Sequence, residues 1–177
     1  MPLRILHIVQ SVNPAGGGPI EGIRQIAVAH ASAGHSLEIA SLDPPGAPYL
    51  GFPSVPVTPL RRSWVDWLFP VSLLRWVRAH HRHYDAVVVN GIWDWHLLAT
   101  YLALRGTATP LLVYPHGMLD PWFRYRYPLK HLKKWLVWPW AIHLPLRDAD
   151  AVCFTCDQER RLARQSFWLY QIGRAHV

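Results

Sequence analysis

Pro110-Leu111-Leu112-Val113-Tyr114-Pro115-His116-Gly117-Met118-Leu119-Asp120-Pro121-Trp122 is an apolar run that stops abruptly in a His-Gly turn. A short apolar run bounded by Pro and Gly reads as a buried strand. The turn behind it sets the His116 imidazole at the carboxyl edge of a sheet, where open α/β folds bind their ligands.

Working outward, the same grammar repeats. Residues 4–10 form a continuous apolar run of the kind buried on both faces of a parallel sheet. The turn Asn13-Pro14-Ala15-Gly16-Gly17-Gly18-Pro19 follows, and then Ile20, Ile23, Ala27 and Ala31 recur at helical spacing, with Gly34 placed as a carboxyl cap. A strand is predicted at 37–42. Six Pro between 43 and 59 predict a meandering surface loop. A helix at 71–81 precedes the strand 86–90, and a helix at 96–105 precedes the strand around 111–114. Residues 128–146 read as helix interrupted by Pro139 and Pro145. A strand at 151–155 runs into Thr155-Cys156-Asp157-Gln158, a capping-box spacing that starts a helix through about 169. This alternation predicts an α/β fold: a Rossmann-like parallel sheet with helices on both faces, joined by right-handed crossovers.

The 177 residues suit one domain, residues 1–171. The hexapeptide Ile172-Gly173-Arg174-Ala175-His176-Val177 shows neither a helix stop nor a strand period. It equals one translated frame of a common sequencing-library adapter, so residues 172–177 are expected to be a non-native tail. At 51% hydrophobic and 16% charged residues the composition is globular. The amino terminus enters a strand directly, which predicts no leader. The longest apolar stretch, Trp135 to Leu146, is far short of the roughly twenty residues of a spanning helix. Cys153 and Cys156 have C-x-x-C spacing but no second ligand pair, and Asp150–Thr155 reads as a strand. They are read as structural thiols in a reducing, cytoplasmic compartment.

Eighteen Lys and Arg against eleven Asp and Glu give +7, which suits anionic partners. Arg124, Arg126, Lys130, Lys133 and Lys134 are interleaved with Trp122, Phe123, Tyr125, Tyr127, Trp135, Trp138 and Trp140. Two readings stand: a helix lying on an anionic membrane surface, or a solvated basic face above an aromatic core. No nucleic-acid motif is present, and nucleic acid is not an expected partner.

Three constellations fall at one sheet edge. The Gly16-Gly17-Gly18 turn occupies the phosphate-binding position of a Rossmann-like unit, where backbone N–H groups and a helix amino terminus meet an anion. Glu21 stands where the third Gly of a dinucleotide fingerprint belongs, and Asp43 lies beyond the usual ribose-binding acid. Asn90-Gly91-Ile92-Trp93-Asp94-Trp95-His96 ends a Val-rich strand. Its Trp rings either stack on a sugar or pack under the loop, with Asp94 capping the helix. His116 either touches a ligand or fixes its own turn.

Ile5-Leu6-His7-Ile8-Val9, the glycine turn 16–18, Asn90-Gly91-Ile92-Trp93 and Pro115-His116-Gly117-Met118, in that order, resemble the amino-terminal domain of a family 4 glycosyltransferase of GT-B type. So does Asp148-Ala149-Asp150-Ala151-Val152, leading to Thr155 and Glu159. The resemblance covers nearly all of 3–171. It implies a sugar transfer from a nucleotide-sugar to a glycan or lipid-linked acceptor, in surface polysaccharide or glycolipid assembly, with retention at the anomeric carbon. By position, Gly17, Gly18, Asn90 and Trp93 would meet the donor diphosphate or acceptor, and His116 the donor sugar. No cofactor and no metal are implied. The acidic carboxyl-terminal donor domain of such enzymes has no counterpart in these residues, so the isolated chain is expected to be inactive. The alternatives are a nicotinamide-dependent Rossmann oxidoreductase and a non-catalytic basic module that binds membranes or nucleic acid.

Overall fold

A computed structural model describes residues 1–51, 55–61, 64–167 and 175–176. The chain runs β1 (Arg4–Val9), α1 (Gly18–Ser32), β2 (Ser36–Ser41), β3 (Val57–Pro59), α2 (Val71–His80), β4 (Ala86–Asn90), α3 (His96–Leu104), β5 (Leu111–Tyr114), α4 (Trp122–Arg126), α5 (Pro128–Val137), α6 (His143–Asp148), β6 (Ala151–Val152), α7 (Asp157–Ala163) and β7 (Ala175–His176). The sheet order is β3-β2-β1-β4-β5-β6-β7, and every neighbouring pair is parallel. The chain builds leftward from β1 to β3, then returns to place β4 on the other side of β1. That reversal is the topological switch point, and it opens a crevice beyond the carboxyl ends of β1 and β4.

Alternation along the strands divides the core in two. Leu6 and Ile8 of β1 join Val87 and Val89 of β4 under Leu73, Val77, Leu97 and Trp138. Val9, Leu37 and Ile39 point to the opposite face, where Ile20, Ile23 and Ala27 of α1 cover them. Helices therefore lie on both faces, as the periodicity predicts.

The departures have local causes. The Pro-rich segment ends in β3, a three-residue edge strand; Pro59 is tolerated there because an edge position has no partner awaiting its missing N–H. Residues 128–148 are helical throughout but widen into a π-turn over Trp138–Ile142. Pro139 sits in that wide turn, where the ordinary i→i−4 bond is already lost. Pro145 falls in the first turn of α6. Helix α7 stops at Ala163 and not near 169, because Ser166 Oγ donates to the Leu119 carbonyl. Phe167 is then drawn into a stack on Trp138, ring centroids 4.3 Å apart. The predicted strand 151–155 shrinks to β6, since Thr155 is held by Glu159 instead. Residues 175–176 pair with β6, in a segment that shows no strand period.

Candidate functional site

The His-Gly turn is built by left-handed backbone at two successive residues, His116 at φ 51° and Gly117 at φ 74°, closed by Met118 N–H donating to Pro115 O at 3.1 Å. Glycine adopts such a φ freely, whereas for histidine it costs about 1–2 kcal/mol. Side-chain contacts hold His116 there. Its ring stacks on Tyr114 at 5.6 Å, and Nε2 lies 3.0 Å from Asn90 Oδ1.

Glu159 locks the next residue. One carboxylate oxygen accepts from Gly117 N–H at 2.6 Å. The other accepts from Thr155 N–H at 2.8 Å and Thr155 Oγ–H at 2.6 Å. Sequence reasoning placed Glu159 only in a matching run; the cap it belongs to starts one residue later than the predicted spacing, with Cys156 as N-cap. The signal that finds it is Glu159 at the third helical position, where a carboxylate reaches back past the helix start.

Asn90 is buried at the switch point, at the end of β4. Its Nδ2 lies 3.2 Å from His7 Nδ1 and 3.4 Å from each of the Ile8 and Val88 carbonyls. Burial, then the charges of His30 and His116, push the His7 pKa down to about 3. Burial also lowers His116, against a smaller upward pull from Glu159. Behind them, His96 Nε2 donates to the Asn90 carbonyl at 3.0 Å, and burial holds that ring neutral. Gly91 holds φ 88°, a left-handed backbone that favours glycine, and a Cβ there would approach the flexible end of Met118 at 3.2 Å.

Across the crevice stands the glycine turn. Asn13 Oδ1 accepts from Ala15 N–H at 3.0 Å, and the N–H groups of Gly16 and Gly17 are used inside the turn, on Asn13 O and Pro14 O. What remains for a ligand is the first turn of α1, where Pro19 has no N–H and those of Gly18 and Ile20 have no intrahelical acceptor. Asp43 is not free for a ribose. Buried, it accepts from Ser11 Oγ at 2.6 Å, Val12 N–H at 2.8 Å and Tyr49 Oη at 3.1 Å, and so anchors the approach to the glycine turn. Glu21 pairs with Arg24 at 2.7 Å on the surface of α1.

The two walls enclose a cleft of about 580 Å³, lined among others by Gly18, Gly22, His116, Gly117, Thr155 and Glu159. A smaller compartment of about 230 Å³ lies beside it, between the glycine turn and the end of β4, with Gln10, Asn90 and Asp94 in its wall. Gly18, Asn90 and His116 are thus brought together. Gly17 forms the bend before α1. Trp93 is not in either wall: its indole N–H donates to Met118 O at 3.0 Å, and its ring packs against Phe167 and Trp138. No Asp94 side-chain cap forms on α3. Among the described residues no group of three or more His, Cys, Asp or Glu converges as metal ligands do. Cys153 is buried and Cys156 exposed, both free thiols; burial pushes the Cys153 pKa up.

The basic and aromatic segment divides in the fold. Trp138 is fully buried, and Lys134 Nζ sits 4.1 Å over the Trp93 ring. Trp122, Tyr125, Tyr127, Trp135 and Trp140 are exposed, as are Arg126 and Lys133. The side chains of Phe123, Arg124 and Lys130 lie outside the described residues. Unforeseen in the sequence, Leu129, Leu132 and Leu136 also face solvent along one side of α5, at 80%, 61% and 73% exposure. No helix of the described residues is long and apolar enough to cross a membrane.

A family model described as a glycosyl transferase 4-like domain matches residues 17–177. Among solved structures, HepE of Anabaena in complex with UDP-glucose is similar at 17% identity and TM-score 0.63, over 99% of this chain and 43% of that one. MurG of Acinetobacter baumannii matches at 16% identity and TM-score 0.51, over 88% and 42%. A putative UDP-N-acetylglucosamine 2-epimerase of Listeria monocytogenes matches at 13% and TM-score 0.57, over 93% and 42%. The chain thus spans less than half the length of these structures. A search of curated proteins finds no significant match.

Proposed function

The chain belongs to the glycosyl transferase 4-like family, and from that premise we propose that it supplies one wall of an enzyme moving a sugar from a nucleotide-sugar to a glycan or lipid-linked acceptor, with retention at the anomeric carbon. The observation that carries this reading is the cleft itself: the first turn of α1 faces the His116-Gly117 turn across about 580 Å³ at the carboxyl edge of the sheet. Unsatisfied N–H groups at a helix start suit a diphosphate that gains charge as the glycosidic bond breaks. A neutral imidazole opposite them suits a sugar hydroxyl. The 177-residue chain on its own is expected to bind donor weakly and to transfer no sugar; measurable transfer by the purified chain would overturn that part.

Amide NMR of the labelled chain tests the reading. Adding UDP-glucose is expected to move the signals of Gly18, Ile20, His116 and Gly117, with NADH fluorescence left unquenched. Quenching of NADH, with those amides unmoved by UDP-glucose, would instead support the oxidoreductase alternative.

A second reading concerns location. Leu129, Leu132 and Leu136, at positions i, i+3 and i+7 of α5, form an exposed apolar stripe on a helix that also exposes Trp135 and Lys133. Such a face supports a helix lying in the interface of an anionic membrane, which is where a lipid-linked acceptor would be met. Sedimentation with vesicles is expected to require anionic lipid; equal partitioning onto neutral vesicles would remove the charge-based part.

A further inference from the structure

We propose that His7 and Asn90 form a positioning pair that holds His116 as its Nε2–H tautomer and leaves Nδ1 to the cleft as a hydrogen-bond acceptor. The argument starts from carbonyls, which can only accept. Two of them, Ile8 O and Val88 O, lie 3.4 Å from one end of the Asn90 amide, so that end is the NH₂ group. The other end is then Oδ1, also an acceptor only, and the atom 3.0 Å from it is His116 Nε2. A hydrogen must lie between them, and it is on Nε2. The same logic runs the other way. Asn90 NH₂ faces His7 Nδ1 at 3.2 Å, so that nitrogen carries its lone pair and its proton is on Nε2.

One amide therefore sets the tautomer of two rings, 83 residues apart in the chain for Asn90 and His7 and 26 apart for Asn90 and His116. Burial keeps both rings uncharged, so neither pairing is broken by protonation near neutral pH. His116 Nδ1 has no hydrogen-bond partner among the described residues, and its ring lines the cleft. On the nucleotide-sugar reading, on which only this consequence rests, His116 accepts a hydrogen bond from a donor-sugar hydroxyl. It would not hold an ether or a carboxylate at the same point. His7 and Asn90 act through His116 and touch no ligand in this role.

Long-range proton–nitrogen NMR of the labelled full chain at neutral pH reads tautomers directly. The expected result is a protonated Nε2 and a bare Nδ1 at both His7 and His116. A protonated Nδ1 on either ring, or an imidazolium, overturns the proposal. In Asn90→Leu, His116 is expected to leave the pure Nε2–H form and average between tautomers; a folded variant with the wild-type nitrogen shifts would show that Asn90 merely packs. Should that variant not fold, the wild-type spectrum still decides. No ligand is present in these measurements, so their outcome is separate from that of the nucleotide-sugar reading.

Discussion

The floor of the cleft and the α4–α5 limb lie close together in the chain and follow opposite rules. Around His116 the polar groups that shape the turn are answered from within: Asn90 by two histidines, Gly117 N–H by Glu159, and the β1 loop by Asp43. Along α5 the leucine stripe is exposed and answered by nothing in the described residues. The first region is preorganised by this chain alone. The second leaves apolar surface that the described residues do not cover.

Acid should break the first region most severely. His7 is near 3 in the fold against about 6.5 when unfolded, and burial lowers His96 and His116 as well. A depressed folded pKa means that the stability is fully present above pH 6.5 and is lost as pH falls toward the folded value. For His7 this removes up to about 1.4 kcal/mol per pH unit in that window. Urea midpoints measured from pH 7.5 to 4 should fall steeply below about 6.5; a flat profile would mean that these rings are solvated.

Next in size comes Asn90→Leu. It deletes a buried amide and leaves its ring partners without theirs, so a loss of about 2–4 kcal/mol is expected, read from the urea midpoint. Glu159→Ala is milder, because water can reach part of the site: about 1–2 kcal/mol, with faster hydrogen exchange at Gly117 N–H as the specific mark. Smallest is the triple change Leu129→Ser, Leu132→Ser and Leu136→Ser. Exposed positions should cost no more than about 0.5 kcal/mol each, while sedimentation with anionic vesicles falls at least severalfold. A large loss of stability there would show that the stripe is core, and the contrast between the two regions would collapse.

How much of this was legible follows from range. The strands β1, β4 and β5 and helices α1, α2 and α3 are written in local periodicity, and their order fixes where the crevice lies. Gly18, Asn90 and His116 could be marked because each sits at a strand end or helix start. Glu159 could not be assigned to Gly117, because the contact spans 42 residues and only the fold creates it. Trp138 and Trp140 look alike in sequence, yet one is fully buried and the other is 48% exposed. Two residues apart on a helix, they face opposite sides, but which side is covered is decided by packing against distant Phe167 and Trp93, which local periodicity does not show. Asp43 looked like a misplaced ribose acid because its partners, Ser11 and Val12, lie a whole helix earlier.

The left-handed backbone at His116 has a practical consequence for anyone redesigning the cleft. Glycine, asparagine, aspartate and histidine enter that conformation with comparative ease, while branched and bulky residues resist it. The palette at this point is therefore set by chirality before chemistry is considered. A valine, isoleucine or threonine placed there would have to redraw the turn.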